Sequence, residues 1–187
     1  MSKLKWKPGT LVYPLPPALV SCGNMEHSNV LTVAWTGIIC SDPAMTYVSI
    51  RKERHSYNMI KENMEFVINL ASSNMARKVD FCGVRSGKNI DKFKHCGFTK
   101  EAGTETNCPM IKECPINIEC RVTEIKELGS HDMFIAEILA VNVDEKYMDE
   151  TGRFDMQACD LLAYSHGQYY SLGEKLGKFG FSVEKKR

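Results

Sequence analysis

The sequence predicts a mainly β fold with attached helices, a β+α barrel, on three observations. Short apolar stretches with period-two alternation recur along the chain between turn-forming residues. The stretch 116–143 reads as two long strands joined by a Gly-containing turn, as antiparallel neighbours are. Helical periodicity is confined to two or three short segments, so the second half lacks the strand–helix alternation of a doubly wound parallel sheet.

Length and composition narrow the class. A chain of 187 residues with no internal repeat and no linker is read as one domain, 1–187, able to bury a full core. A net charge of +1 gives no reason to expect a nucleic-acid or membrane-surface partner. No apolar run reaches the ~20 residues of a membrane-spanning helix. The start MSKLKWKPG lacks a signal-type apolar core, and no Asn-x-Ser/Thr sequon occurs. The expected location is therefore cytoplasmic. The eight cysteines form no Cys-x-x-Cys pair, so no metal site is expected and reduced, buried thiols are. Cys40 and Cys120 lie in strand patterns and read as core, whereas Cys108 and Cys114, around a Pro-Met loop, read as more exposed.

Taken in order, residues 1–9 form an arm with Trp6 as its anchor. Thr10–Pro14 and Ala18–Gly23 read as strands around the turn Leu15-Pro16-Pro17. Asn29–Cys40 reads as one strand with both faces apolar, hence covered on both sides. Asp42-Pro43 turns the chain into Met45–Arg51. Ser56–Met64 is a helix with Tyr57, Ile60 and Met64 on one stripe, and Glu65–Leu70 a strand. Ser72 or Ser73 caps a helix that turns Met75, Val79 and Cys82 inward. Cys82–Lys88 is a turn-rich loop, Asp91–His95 a single helical turn, and 97–114 irregular. Ile116, Ile118, Cys120 and Val122 alternate with Asn117, Glu119, Arg121 and Thr123, a strand with one wet face. Met133–Val143 is apolar on both faces. Leu161–Tyr164 is a last strand before His166-Gly167-Gln168-Tyr169-Tyr170, and the basic end 184–187 is a solvated tail.

The stretch Asn29–Leu70 concentrates the chemistry. On the strand at 45–51, Thr46, Val48 and Ile50 point one way, so Tyr47, Ser49 and Arg51 point the other. Ser49, Arg51, Arg54 and Ser56 then gather where the chain enters a helix at His55-Ser56-Tyr57. A hydroxyl, two guanidinium groups and free helix N–H groups suit a phosphate. Surface pairing of the two arginines with Glu53 or Glu62, worth under ~1 kcal/mol, is the competing reading. Upstream, Thr32–Gly37 offers small residues for close backbone approach (Ala34, Gly37), hydroxyls (Thr32, Thr36) and a flat wall (Trp35), which suits a planar ring; an ordinary core strand is the alternative. Asn29, Val33, Ile50, Tyr57 and Asn69 complete the candidate lining. Neither a Gly-x-Ser-x-Gly elbow nor a P-loop is present, and GEKLGKFG does not satisfy the dinucleotide fingerprint.

The motifs NVLTVAWTGIICSDP, VSIRKERHSYNMIKENMEFVINL, DFCGVRSGKNIDKF, LGSHDMFIAEILAV and SHGQYY, in this order, resemble the flavin reductase-like family with an FMN-binding split β-barrel, and within it the flavoredoxin branch. The resemblance implies an FMN cofactor and a homodimer with each flavin near the dimer interface. It adds Ser86 and Lys92, from Ser-Gly-x-x-x-Asp-Lys, to the cofactor-binding set, and points to His166 as the best candidate catalytic polariser. His131, in Gly-Ser-His-Asp, is implied to organise the dimer or the pocket. The implied activity is electron transfer from NADH or NADPH through FMN to a protein, flavin or small acceptor. The alternative is an FMN electron carrier reduced by a protein donor without nicotinamide activity.

Overall fold

In the computed structural model, which describes residues 1–183, the chain runs β1 (Ala18–Gly23), β2 (Ser28–Val33), β3 (Thr36–Ser41), β4 (Ala44–Ile50), α1 (His55–Asn63) and β5 (Glu65–Leu70). It continues through α2 (Ala76–Val84), α3 (Lys92–Cys96), a short pair β6 (Lys100–Glu101) and β7 (Met110–Ile111), the long strands β8 (Ile116–Glu127) and β9 (Asp132–Val143), and a hairpin of β10 (Leu162–Ser165) and β11 (Gln168–Ser171). The basic tail 184–187 lies outside the described residues.

Seven strands form one antiparallel sheet in the order β2-β1-β5-β8-β9-β4-β3. Its two edge strands, β2 and β3, are consecutive in the chain and separated only by Ala34 and Trp35. Two residues span at most ~7 Å per pair of steps, so the sheet has to curl until its edges nearly meet. They do not pair with each other, which leaves a barrel split along one seam. The single strand expected over 29–40 is thus cut at Ala34-Trp35. Apolar character continues through the cut, and no Gly or Pro marks it.

The two-sided covering expected of the first half of that stretch is present, with a different cover on each face. Leu31 and Val33 enter the barrel interior with Val48, Ile50, Phe66, Ile68 and Phe134. Val30 points outward into a second core, with Leu19, Val79, Cys82, Phe93 and Cys96, built by α2 and α3 against the sheet's outer face. Beyond the cut the covering ends, and Ile38 is 88% exposed. On β4 the alternation is as read, with Thr46, Val48 and Ile50 buried and Tyr47 and Ser49 partly so. Met75, Val79 and Cys82 face inward, and α2 extends through Val84 into what reads as a loop.

Four readings need correction. Thr10–Pro14 forms no strand; one isolated bridge, Leu15 to Tyr164, ties the segment down, and Trp6 is exposed. Cys40 is only half-buried, while Cys108 and Cys114 are buried, because the 97–114 segment folds over the sheet. Ser72 caps no helix by its side chain; its hydroxyl donates to the Cys159 carbonyl at 2.7 Å. Asn117 and Glu119 face a polar interior, not water. The Asn117 amide donates to Asn69 Oδ1 and the Ile111 carbonyl, and Glu119, fully buried, accepts from the 104–106 loop.

Candidate functional site

The seam is where the sheet cannot satisfy its own backbone. Ala34 and Trp35 leave the ladder there, with the Ala34 carbonyl taking Thr36 N–H at 3.2 Å and the Trp35 carbonyl taking Ser49 N–H at 2.9 Å. Their own N–H groups lie outside the ladder and beside a cleft of about 400 Å³. Thr32, Val33, Ala34, Trp35, Ser49, Ile50, Arg51 and Arg54 line this cleft. Trp35 packs against His131, with ring centroids 4.3 Å apart and planes tilted by 35°. Burial and the nearby Arg51 lower the His131 pKa and favour its neutral form.

The cleft continues past Leu31, Arg51 and Arg54 into a second cavity of about 340 Å³ with a different character. Its walls are Asn29, Ser56, Lys92, Ser86, Gly87 and Arg85, with Glu53 and His55 at the rim. Three of these polar side chains are buried: Asn29, Ser56 and Lys92 are each at most 5% exposed. Asn29 donates to the Ser56 hydroxyl at 2.7 Å, which leaves the hydroxyl proton free to be given to an anion. Lys92 spans the space between β2 and α2, donating to the Val30 and Cys82 carbonyls, both at 2.8 Å. Burial lowers its affinity for its proton, a cost that a bound anion offsets. The N-terminus of α1, uncapped by any side chain, opens at the same place.

Secondary structure sets this geometry. Thr32 donates to the Val79 carbonyl at 2.5 Å and pins α2 to β2. Arg54 donates to the Gly83 carbonyl at 2.8 Å and bridges the mouth from the α1 side. Gly87 lets the loop after α2 close on Asn29, because an added Cβ would lie 2.0 Å from Asn29 Oδ1. Arg51 makes the expected surface pair with Glu53 at 3.6 Å, but both arginines also line the cleft.

Four predicted residues lie outside the lining. Thr36 is buried, its hydroxyl donating to the Tyr47 carbonyl at 2.6 Å and stitching β3 to β4. Tyr57 points into the barrel and donates to Asp132 at 2.5 Å. Asn69 sits fully buried among β1, β7 and β8, donating to the Leu19 carbonyl and accepting from Ile111 N–H. His166 is exposed at the tip of the β10–β11 turn, at a positive φ of 47°, with its ring edge-on to Tyr13 at 6.1 Å. The hairpin's contribution to the cleft is instead Tyr164 and Tyr169. Tyr13, Tyr164, Tyr169, Arg85 and Gly87 were not singled out from the sequence, since an arm, a hairpin and a loop reach the cleft only through the fold. The Arg-Ser-Gly run at 85–87 was the available pointer to the last two.

A cleft walled by aromatic rings that runs into a buried cationic end is the observation that comparison with known proteins interprets. Residues 10–173 match the sequence model described as flavin reductase like domain. The chain belongs to this family. Among solved structures it is similar to the flavoredoxin of Desulfovibrio vulgaris (Miyazaki F), at 33% identity and a TM-score of 0.89 over 98% of this chain and all of that one. The flavoredoxin from Methanosarcina acetivorans is similar at 31% identity, with the same coverage and TM-score. An FMN-binding protein from Thermus thermophilus, at 24% identity and a TM-score of 0.80 over 95% of this chain and 99% of that one, shares the fold. The seven-stranded sheet with its open seam is therefore the family's split barrel, and the family is one of flavin-related oxidoreductases. Among the described residues no cluster of three or more His, Cys, Asp or Glu is placed to hold a metal ion, and no helix is long and apolar enough to cross a membrane.

Proposed function

We propose that this chain is an FMN-dependent oxidoreductase that takes electrons from a reduced nicotinamide and passes them to a protein, flavin or small acceptor. The observation that carries the reading is the two-ended cleft. Its flat end, at Thr32–Trp35, suits a planar ring, and its buried cationic end, at Asn29, Ser56 and Lys92, suits a phosphate.

The residues fit the group at both ends. A phosphate in the inner cavity meets the Ser56 hydroxyl, the Lys92 ammonium, Arg54, Arg85 and the α1 N-terminus, charge and donors enough to offset its desolvation. Glycine at 87 lets its loop close on Asn29 at this end. At the other end the N–H groups of Ala34 and Trp35, outside the sheet ladder, suit the hydrogen-bonding edge of the ring. FMN supplies a two-electron redox centre when bound, so the chain needs no acid or base of its own for hydride transfer. What the chain supplies is position: Trp35 packed on His131, with Tyr13, Tyr164 and Tyr169, would line the ring end of the cleft.

Two further expectations stand as part of this reading. A homodimer accounts for apolar residues left bare on the barrel's outside, Ile38 and Ile39 on β3 and Val141 on β9. A cytoplasmic location is consistent with eight free cysteines. The test is the absorption spectrum and mass of the ligand released from purified protein, followed by anaerobic mixing with NADH or NADPH. Bleaching of the flavin by either is expected. A bound flavin that bleaches with neither but does so with a reduced low-potential protein would select the electron-carrier alternative, and purified protein that neither carries nor takes up FMN would end both.

A further inference from the structure

Outside the cleft, α2 and α3 border a broad groove of about 900 Å³, within the ~300–1,000 Å³ range of small-molecule sites. It shares Asp80, Val84 and Tyr169 with the ring end of the cleft and Arg85 with the phosphate end, so the three spaces are continuous. Two features set it apart from an ordinary charged surface. Phe81 and His95, one from each helix, stack face to face in its lining, ring centroids 4.1 Å apart and 7° from parallel, which leaves the exposed His95 ring open to a further planar group. Arg77, Lys78 and Arg85 line the same groove, and neither Arg77 nor Arg85 has an ion-pair partner among the described residues. Lys78 is directed to the Phe98 ring, with Nζ 5.1 Å from its centroid. The one carboxylate in the lining, Asp80, is held by the Tyr169 hydroxyl at 3.2 Å where groove and cleft meet.

An aromatic stack with one exposed ring, a guanidinium group and a carboxylate at the threshold fit a ligand with a planar base, phosphates and a ribose between them. We propose that this groove binds the adenosine-phosphate half of the nicotinamide dinucleotide whose reactive half enters the cleft. The base continues the stack on the exposed face of His95, Arg77 takes the pyrophosphate, and Asp80 accepts from a ribose hydroxyl. The inference rests on the nicotinamide-donor reading of the cleft. It goes further in making α2 and α3 the element that distinguishes a dinucleotide from a mononucleotide.

The experiment separates the two halves. Calorimetric titration of the FMN-loaded protein with ADP, which has no redox chemistry, reads the groove directly. Binding is expected, and Arg77→Ala and His95→Ala should each weaken it about fivefold, the factor for an exposed contact of ~1 kcal/mol. Both side chains are exposed, and circular dichroism checks that the variants fold. In stopped-flow reduction, each variant should raise KM for NADH or NADPH by a similar factor and leave reduction by reduced nicotinamide mononucleotide, which lacks the adenosine half, unchanged. Arg77→Lys should restore part of the loss. Absence of ADP binding, or equal effects on mononucleotide and dinucleotide, overturns the subsite. ADP binding weakened by the variants, with no reduction by any nicotinamide, would refute the donor reading while leaving the groove a nucleotide site. Should Arg77→Glu slow reduction by an acidic redox protein while ADP does not bind, the face belongs to a protein partner and the proposal is wrong.

Discussion

Replacing Glu119 by glutamine should destabilise the protein and flatten its response to acid. The carboxylate is fully buried and no ion pair among the described residues involves it, yet it stays ionised. It accepts six hydrogen bonds: from the N–H and hydroxyl of Thr104 at 2.8 and 2.6 Å, from Glu105 N–H at 2.9 Å, from the N–H and hydroxyl of Thr106 at 2.8 and 2.9 Å, and from the Asn142 amide at 2.8 Å. Burial pushes its pKa up and these donors pull it down further, to about 2 against an ordinary 4.5. Because the folded value lies below the unfolded one, the stabilisation is fully present above pH ~4.5 and is lost as pH falls toward 2. A depression of that size corresponds to about 3 kcal/mol. Glutamine keeps the shape but turns an NH₂ toward a cluster of N–H and hydroxyl donors, and stranded buried donors cost ~1–3 kcal/mol. Urea unfolding at pH 7 should therefore show Glu119→Gln less stable by about 2–3 kcal/mol with an unchanged slope. Between pH 5 and 2.5 the wild type should lose the difference and the variant should not. Equal stability at pH 7 and parallel acid profiles would refute the account of Glu119 as an anion held by neutral donors.

Other outcomes follow from single contacts. Gly87→Ala puts a methyl where Asn29 Oδ1 stands 2.0 Å away, so it should weaken FMN binding at least ~10-fold while leaving the circular dichroism spectrum intact, as read by fluorescence titration of FMN. Lys92→Met leaves the Val30 and Cys82 carbonyls without their donor and removes a cation from the phosphate end; both thermal stability without flavin and FMN affinity should fall, by ~1–3 kcal/mol for the former. Tyr57→Phe strips a buried donor from Asp132 and should cost ~1–3 kcal/mol in urea unfolding with little change in flavin affinity, since Tyr57 faces the barrel interior. Under native conditions a thiol reagent should modify one cysteine rapidly, Cys40, which alone of the eight is not buried; unfolding should release the other seven.

Period-two alternation was enough to place β4 and β8, because there one face meets a core and the sequence has to say which, whereas β5 and β9 were legible as apolar runs bounded by turn residues. The same rule misled at Glu119 and Asn117. A polar residue at every second position signals water unless a distant loop brings donors to it, and Thr104 to Thr106 are placed by the fold alone. The seam was invisible for a related reason. Ala34 and Trp35 fit a strand as well as their neighbours do, and only the position of β2 and β3 at opposite edges of one sheet forces the chain out of the ladder there. Of the site, the part built from consecutive residues was legible: Thr32 to Trp35, and Ser49 to Ser56. The tyrosines from the arm and the hairpin were not, since nothing local ties residue 13 or 169 to residue 35. His166 illustrates the converse, a residue singled out by its motif whose place in the structure is explained by a tight turn with two successive positive φ values, 47° and 87° with Gly167.

The link of two residues between the barrel's free rims also governs how the molecule opens. Every other neighbouring pair of strands is zipped by its own ladder, whereas these rims are tied only by covalent chain and by whatever occupies the gap. A molecule lodged beside Trp35 touches Val33 on one rim and Ser49 behind the other, and so acts as a removable rivet. Loading the cleft should then slow amide exchange along β3 far more than along β5, which lies remote from the gap in the middle of the sheet. The protein's breathing would in that case report directly whether its cleft is filled.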